Sequence, residues 1–373
     1  MSDAAASKRW ATRTLRVGVA GLGVMGATHL KWYQQQPNVE IVALAGLEDD
    51  RLAQLGDEYR IPQRYHDYRD MLGSADLDLV SVCTPNSLHA PVAIAALERG
   101  CHVLCEKPLA RSGPEAAAMV AAARQADRVL HTSFNHRARG DVATLKAHLD
   151  GGGLGRVYHA KASWMRRSGI PALGSWFTNK EMAGGGPLID LGVHMLDMAL
   201  YLLGEPQPIT VSAATYAEIG PQGRGAYAAW QTQGGAKQAV GSAYEVEDLA
   251  TAFIRFADGG TLLLEASWAV YGSAGDDFGV TLYGTQGGAE IAVKNYGWQD
   301  TLRLFTDVAG TTAVVQPRVG PGEGHLQVIR DFVNTVRGGA WAGHHGEVGL
   351  RRAQIIEACY TSASTGREVV LGE

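Results

Sequence analysis

Cysteine is scarce: Cys83, Cys101, Cys105 and Cys359 are the only four in 373 residues. They lack the paired CxxC spacing of a metal or redox site and the density of a disulfide framework. Three fall in or beside apolar runs, so they read as buried, reduced thiols of a cytoplasmic protein, and no metal is expected. Long hydrophobic runs are absent as well, which argues against a bilayer-spanning helix. The opening residues Met1 to Trp10 are small, polar and lightly basic, without the apolar segment a secretory signal needs, and residues 1–13 read as a disordered tail. Neither sign of charge dominates: 33 Lys and Arg face 38 Asp and Glu, for a net charge of -5 and no basic stripe. That balance argues against nucleic acid as a main partner, because phosphate backbones are held by clustered cations that release counterions. Apolar residues (46%) and glycine (47 residues) are plentiful, in a chain long enough for two cores. The profile is that of a two-domain globular enzyme.

The first third of the chain alternates strand and helix. Strands are expected at Leu15–Ala20, Ile41–Ala45, Leu79–Cys83, His102–Cys105 and Val129–Ser133, with helices at Met25–Gln36, Arg51–Tyr59, Pro91–Arg99 and Pro114–Ala126. Short apolar strands between helices imply a parallel sheet covered on both faces. After Asn135 the rhythm changes to a helix near Asp141–Asp150, a long strand Val157–Met165, a Gly-rich loop and a second helix, followed by antiparallel strands. Asp258-Gly259-Gly260 and Gly284-Thr285-Gln286-Gly287-Gly288 mark turns, and helices His325–Arg337 and Glu347–Thr365 close the chain. The expected domains are 14–135 and 136–373, with the final helix free to pack back on the first.

The run Leu15 to Ala20 empties into Gly21-Leu22-Gly23-Val24-Met25-Gly26 and then a helical pattern. In this context Gly21 permits a tight turn, Gly23 lets the backbone approach a pyrophosphate and Gly26 allows close helix–strand packing, with phosphate at the helix N-terminus. The fold class is therefore α/β: an N-terminal Rossmann doubly wound parallel sheet, plus a C-terminal α+β domain with a large open, mostly antiparallel sheet. Thr84, Pro85, Asn86 and His89 follow the strand at Leu79, and Glu106, Lys107 and Pro108 follow the strand at His102. These positions put them at carboxyl ends of strands, beside the ligand crevice of such a sheet. An ammonium at Lys107 is suited to hydrogen-bond a nicotinamide ribose and a substrate hydroxyl and to stabilise an oxyanion, although a solvated loop lysine is the plainer alternative. Downstream, Asp190, His194 and Asp197 share one helical face at i, i+4 and i+7. Asp190 within reach of His194 would fix the imidazole as a general base, and a surface ion pair or capped core histidine is the competing reading. Zinc is disfavoured for want of a third and fourth ligand.

Together the strand-GLGVMG-helix, CTPNSLH, CEKPL and IDLGVHMLD segments resemble the glucose-fructose oxidoreductase/inositol dehydrogenase (Gfo/Idh/MocA) family over nearly the whole chain. The resemblance implies that Lys107, Asp190 and His194 are the catalytic lysine, aspartate and histidine, and that Asn135 contacts cofactor or substrate. It implies NAD(P)-dependent hydride transfer between nicotinamide and a secondary alcohol of a sugar, sugar derivative or cyclitol, with His194 as general base. Val24 and Met25 join the glycines as cofactor contacts. The position that usually carries an acidic residue for the ribose 2′-hydroxyl holds Gly46, with Glu48 and Arg51 nearby, so NAD and NADP both stay open. Arg166 and Trp176, in the loops before the catalytic helix, suit a polyhydroxylated ring and join Lys107, Asn135, Asp190 and His194 as substrate contacts, with a packing anchor as the equal alternative for Trp176. His325 reads as a surface residue. By resemblance the open sheet face is buried in a homodimer or homotetramer. Two alternatives remain: a glycoside-cleaving enzyme that oxidises NAD-dependently and transiently, and a nucleotide-sensing regulator without turnover.

Overall fold

The structure, a computed structural model, describes residues 10–226, 244–273 and 275–372. Its chain divides into two compact units: residues up to Asn135 together with Gly324–Ala353, and His136–Glu323 together with the residues from Gln354 onward.

In the first unit, strands β1 (Leu15–Ala20), β2 (Val39–Ala45), β3 (Gln63–Tyr65), β4 (Leu79–Val82), β5 (His102–Cys105) and β6 (Leu130–Thr132) form one sheet. Their order is β3-β2-β1-β4-β5-β6 and all neighbours run parallel. Between them lie α1 (Val24–Tyr33), α2 (Asp49–Glu58), α3 (Tyr68–Ser74), α4 (His89–Glu98) and α5 (Gly113–Ala126). Alternate strand residues feed opposite cores: Val80, Val82 and Val103 pack with the alanines of α4 and α5, while Leu79, Leu104 and Val19 pack with Leu30 and Leu52. Two covered faces explain why these strands are apolar throughout. The strand order reverses between β1 and β4, and ligands of such sheets bind at the carboxyl ends there. β3 and α3 escaped the sequence reading. β3 is three residues without an aliphatic side chain, held by pairing with β2, and α3 depends on a cap in which Asp67 accepts the Arg69 N–H at 2.8 Å.

The second unit contains α6 (Gly140–Asp150), β7 (Val157–Arg166), α7 (Lys180–Ala183), α8 (Val193–Leu202), β8 (Pro208–Tyr216), β9 (Leu249–Phe256), β10 (Thr261–Ser267), β11 (Asp276–Gly284), β12 (Gly288–Lys294), β13 (Leu302–Val308), β14 (Thr311–Val315) and β15 (Val369–Val370). These strands make one sheet, β14-β13-β12-β11-β7-β10-β9-β8-β15, antiparallel except where β7 meets β10. The β9–β10 hairpin turns on Gly259, whose φ of 82° suits glycine, and Asp258 accepts the Gly260 N–H at 2.8 Å. Buried Ile254, Leu264, Val280 and Leu282 alternate with less buried neighbours, while α8 is buried along nearly its whole length.

The chain closes with α9 (His325–Gly338) and α10 (Glu347–Thr365). Two expectations change here. Residues 324–353, read from sequence into the second domain, cluster with the first, because Ile329, Phe332, Val333 and Val336 of α9 enter the core beside Leu30 and Leu104. Of the expected tail, residues 1–9 lie outside the described residues, but residues 10–13 are folded. Trp10 is buried with its ring 4.8 Å from His102 and 5.7 Å from Trp341, and Arg13 pairs with Asp78 at 2.8 Å. An indole that finds two aromatic partners outweighs the disorder suggested by its polar neighbours.

Candidate active site

In the first unit β1 delivers the chain to Gly21, where φ is +91° and an added Cβ would lie 2.4 Å from the Cys83 carbonyl oxygen. A Cβ on Gly26 would lie 2.1 Å from the Gly21 oxygen, so α1 can approach the turn only with glycine there. Gly23 differs: nothing stands within 4 Å of its Cβ position, and it heads α1 without a side-chain cap or a first-turn carboxylate. The N-terminus of α1, beside Val24 and Met25, thus carries neither a side-chain cap nor a carboxylate, which fits a dinucleotide pyrophosphate.

Gly46 follows β2, and an added Cβ there would meet Leu22 Cδ1 at 2.8 Å. A side chain at this position would press on buried Leu22 unless that leucine moved. Arg51 Nε donates to the Leu22 carbonyl at 2.9 Å and Nη1 to Gln54 at 2.8 Å, anchoring a cation against the glycine turn. Exposed Glu48 caps α2 with its backbone alone, and Asp49 pairs with His66 at 3.2 Å.

Thr84 and Pro85 lead from β4 into a turn, Asn86–Leu88. His89 and Glu106, expected against the cofactor, are instead committed inward. The ring nitrogens of buried His89 lie 2.8 Å from the Pro108 oxygen and 2.9 Å from the Thr84 oxygen, joining two loops that flank the carboxyl ends of β4 and β5. Burial pushes the His89 pKa down. Buried Glu106 lies 2.8 Å from His29 Nε2 and accepts the Lys107 N–H at 3.3 Å. His29 also reaches Ser81 at 3.0 Å, and Ser81 donates to Tyr33 at 3.0 Å. Burial raises the Glu106 carboxyl, but the hydrogen bond and charge of His29, with His325 and Ser133, outweigh it and hold it at about 2. His325 is likewise no plain surface residue, with its ring 6.4 Å from that of His29. The half-buried Lys107 follows directly, joined to Pro108 by a cis peptide, and Asn135 begins the turn Asn135–Ala138 after β6.

In the second unit the segment before α8 is a π-turn, Leu188–Gly192, which periodicity alone did not reveal. Such turns recur at functional sites because they displace one residue from the α-helical register. Asp190 lies in it, and its Oδ2 accepts the Trp268 indole N–H at 2.9 Å. His194 is buried in the first turn of α8, its ring 4.7 Å from His136 and 5.7 Å from Trp164, with Phe278 4.6 Å from Trp164. Trp164 donates to Asp276 at 2.6 Å. Arg166 Nε lies 3.0 Å from the same carboxylate, and Nη2 donates to the Tyr296 hydroxyl at 2.7 Å. Burial opposes the Arg166 charge, but Tyr296, Asp276 and Asp190 favour it and the net shift is upward. Burial pushes Tyr296 up to about 12, which keeps it a neutral phenol.

The structure thus groups Asp190, His194 and Arg166 in one polar and aromatic cluster. It leaves out Asp197, whose carboxylate is buried and gripped by Arg137 through contacts of 2.8 and 2.6 Å. Trp176 sits on the turn Trp176–Thr178, stacked on Phe177 at 3.8 Å. His136, Trp268, Asp276 and Tyr296 were missed. Only His136, beside Asn135, had a signal in the sequence; the others reach the cluster from distant strands and turns.

Two family profiles match the chain: "Oxidoreductase family, NAD-binding Rossmann fold" over residues 15–134 and "GFO/IDH/MocA C-terminal domain" over residues 142–290. Among curated proteins, the D-glucoside 3-dehydrogenase of Escherichia coli K12 is 35% identical over 363 residues, covering 96% of this chain and 97% of that protein. The levoglucosan dehydrogenase of Pseudarthrobacter phenanthrenivorans is 29% identical, covering 94% and 97%. Among solved structures, a levoglucosan dehydrogenase in complex with NADH and levoglucosan superposes with a TM-score of 0.82 at 26% identity, covering 96% of this chain and all (100%) of that one.

Proposed function

Because this chain belongs to the GFO/IDH/MocA family of NAD-binding oxidoreductases, we propose that it oxidises a secondary hydroxyl of a cyclic sugar, or runs the reverse reduction, with His194 as general base. It is an NAD(P)-dependent sugar or cyclitol oxidoreductase. The observation that carries the residue-level reading is Asp190 on a π-turn, its carboxylate held by Trp268, with buried His194 on the following helix beside an aromatic wall, and Arg166 near Asp190. Buried, partly apolar surroundings strengthen the electrostatic effect of each polar group there.

The Gly21–Gly26 turn and the amides of α1 would hold the pyrophosphate, with Glu48 and Arg51 at the adenosine ribose. When bound, nicotinamide supplies the hydride acceptor or donor. His194 Nε2 or Nδ1 takes the hydroxyl proton, Asp190 favours the resulting imidazolium, and Lys107, by family resemblance, polarises the reacting oxygen. Asn135 contacts cofactor or substrate by the same resemblance. Arg166 and the Tyr296 ring support recognition of a polyhydroxylated ring, and Trp176 is proposed as a further contact to it. The relatives' activities on glucosides and levoglucosan support a pyranose-like substrate. Tyr296→Ala raises the sugar KM about tenfold, whereas Tyr296→Phe, which keeps the ring, stays within about threefold. Steady-state kinetics with each variant check this, and equal effects would remove the stacking role.

Gly46 repels neither cofactor, so we read the site as accepting NAD and NADP, with Arg51 as the 2′-phosphate partner. Arg51→Ala weakens NADP binding about tenfold and NAD binding less than about twofold, as measured by calorimetry. Exposed Phe305, Val308, Val314 and Val315 on β13 and the edge strand β14 support a homodimer or homotetramer, and a monomer by light scattering would contradict it. Four free thiols support a reducing, cytoplasmic setting. No helix of the described residues is long and apolar enough to cross a membrane.

The overall activity is tested by a screen of glucosides, levoglucosan and inositols, with both cofactors and in both directions, followed at the reduced-nicotinamide absorbance. Turnover of a cyclic sugar is expected. Nucleotide binding without any absorbance change would favour a sensor, and aglycone release without net reduced nicotinamide would favour redox-neutral cleavage.

A further inference from the structure

The loop before the π-turn runs Gly184-Gly185-Gly186-Pro187-Leu188, and it has almost no side chains to hold it. Pro187 has no N–H, so the amides on either side, of Gly186 and Leu188, need acceptors at the start of the helical segment. Both are met by one carboxylate. Glu247, 7% exposed, accepts the Gly186 N–H through Oε2 at 3.0 Å and the Leu188 N–H through Oε1 at 3.1 Å. Tyr360 of α10 donates its hydroxyl to the same Oε1 at 2.9 Å, and Tyr244 donates to the Glu247 backbone oxygen at 3.1 Å. The glycines belong to the same construction. A Cβ on Gly185 would lie 1.9 Å from the Tyr360 hydroxyl oxygen, and one on Gly186 would lie 2.1 Å from the Glu247 backbone oxygen.

We propose that Glu247, braced by Tyr360, is a positioning residue that sets the place of Asp190 and His194; this rests on the reading of those two as catalytic. The path from clamp to site is short. The Asp190 N–H donates to the Gly186 oxygen at 3.1 Å, and that carbonyl lies in the Gly186–Pro187 peptide, between the two peptides whose N–H groups Glu247 holds. Trp268 fixes the Asp190 carboxylate independently, at 2.9 Å. Glu247 therefore governs the backbone under Asp190 and His194, and Trp268 governs one side chain.

Burial pushes the Glu247 carboxyl up, while the amides of Gly186 and Leu188 and the Tyr360 hydroxyl pull it down without reversing the net rise. Glutamine in its place keeps the volume but sets an amide NH2 against a donor. Removing the Tyr360 hydroxyl alone deletes one of the donors and leaves the carboxylate in place.

The test compares Glu247→Gln, Tyr360→Phe and His194→Ala as full-length protein, measuring kcat, sugar KM, cofactor Kd and the deuterium isotope effect with substrate labelled at the carbinol carbon. Glu247→Gln is expected to lower kcat about tenfold and Tyr360→Phe about threefold, with cofactor Kd unchanged and the isotope effect increased, because misplaced groups slow the chemical step. If Glu247→Gln does not fold, Tyr360→Phe decides alone. A folded variant with wild-type kcat and isotope effect overturns the proposal. So does a lower melting temperature with unchanged kcat per folded enzyme, which is the signature of a merely structural carboxylate. If His194→Ala itself retains wild-type kcat, the catalytic reading fails instead, and that outcome is separate from the behaviour of Glu247.

Discussion

Replacing His194 by alanine is expected to lower kcat by about 10²- to 10⁴-fold, the range over which a positioned general base contributes. The ring is enclosed by His136 at 4.7 Å and Trp164 at 5.7 Å and sits one turn after Asp190, whose carboxylate is fixed by Trp268. Water is a poor substitute for an imidazole whose direction is set by its neighbours. Cofactor affinity is expected to stay within about threefold, because the Gly21–Gly26 turn belongs to the other compact unit and makes its contacts there. Stopped-flow or steady-state rates, paired with fluorescence titration of reduced nicotinamide, separate the two quantities. Loss of both to the same degree would mean that the histidine supports structure and not proton transfer.

The second large effect falls on the cofactor alone. Gly26→Val places a branched side chain where even a Cβ lies 2.1 Å from the Gly21 oxygen, which is backbone and cannot swing away. Overpacking of this kind costs roughly 1–3 kcal/mol, and here the only relief is to push α1 away from the turn whose amides would bind phosphate. Nucleotide affinity is therefore expected to fall by about 10- to 100-fold, since each 1.4 kcal/mol is tenfold. Circular dichroism should still report a folded protein, because the second unit and its sheet are untouched by the substitution. Full nucleotide affinity in a folded Gly26→Val protein would remove the glycine turn from the cofactor site. Gly23→Ala is the contrast: nothing lies within 4 Å of its Cβ position, so it should leave the fold intact and disturb only a bound phosphate.

Legibility from sequence followed the range of the forces involved. The strands β1, β4 and β5, the hairpin at Gly259 and helix α10 were all readable because each is written in local periodicity or turn chemistry. β3 and α3 were not, being too short to carry a period. Asp197 shows the limit of face arithmetic. It shares the expected helical stripe with His194, yet its carboxylate is taken by Arg137, sixty positions away. His89 and Glu106 show the same limit: their position at strand ends was correct, but their side chains turn inward to satisfy buried carbonyls and His29.

The sequence by itself determined the parallel sheet with its glycine turn, the mostly antiparallel second sheet and the family, because apolar periodicity and turn chemistry act between residues close along the chain. Only the tertiary structure decided that Glu247 and Tyr360 hold the loop under Asp190, that Tyr296 and Asp276 join Arg166, and that α9 belongs to the first core. Those contacts satisfy buried polar groups and apolar faces across long stretches of chain, and which distant partner does so depends on packing that no local pattern records.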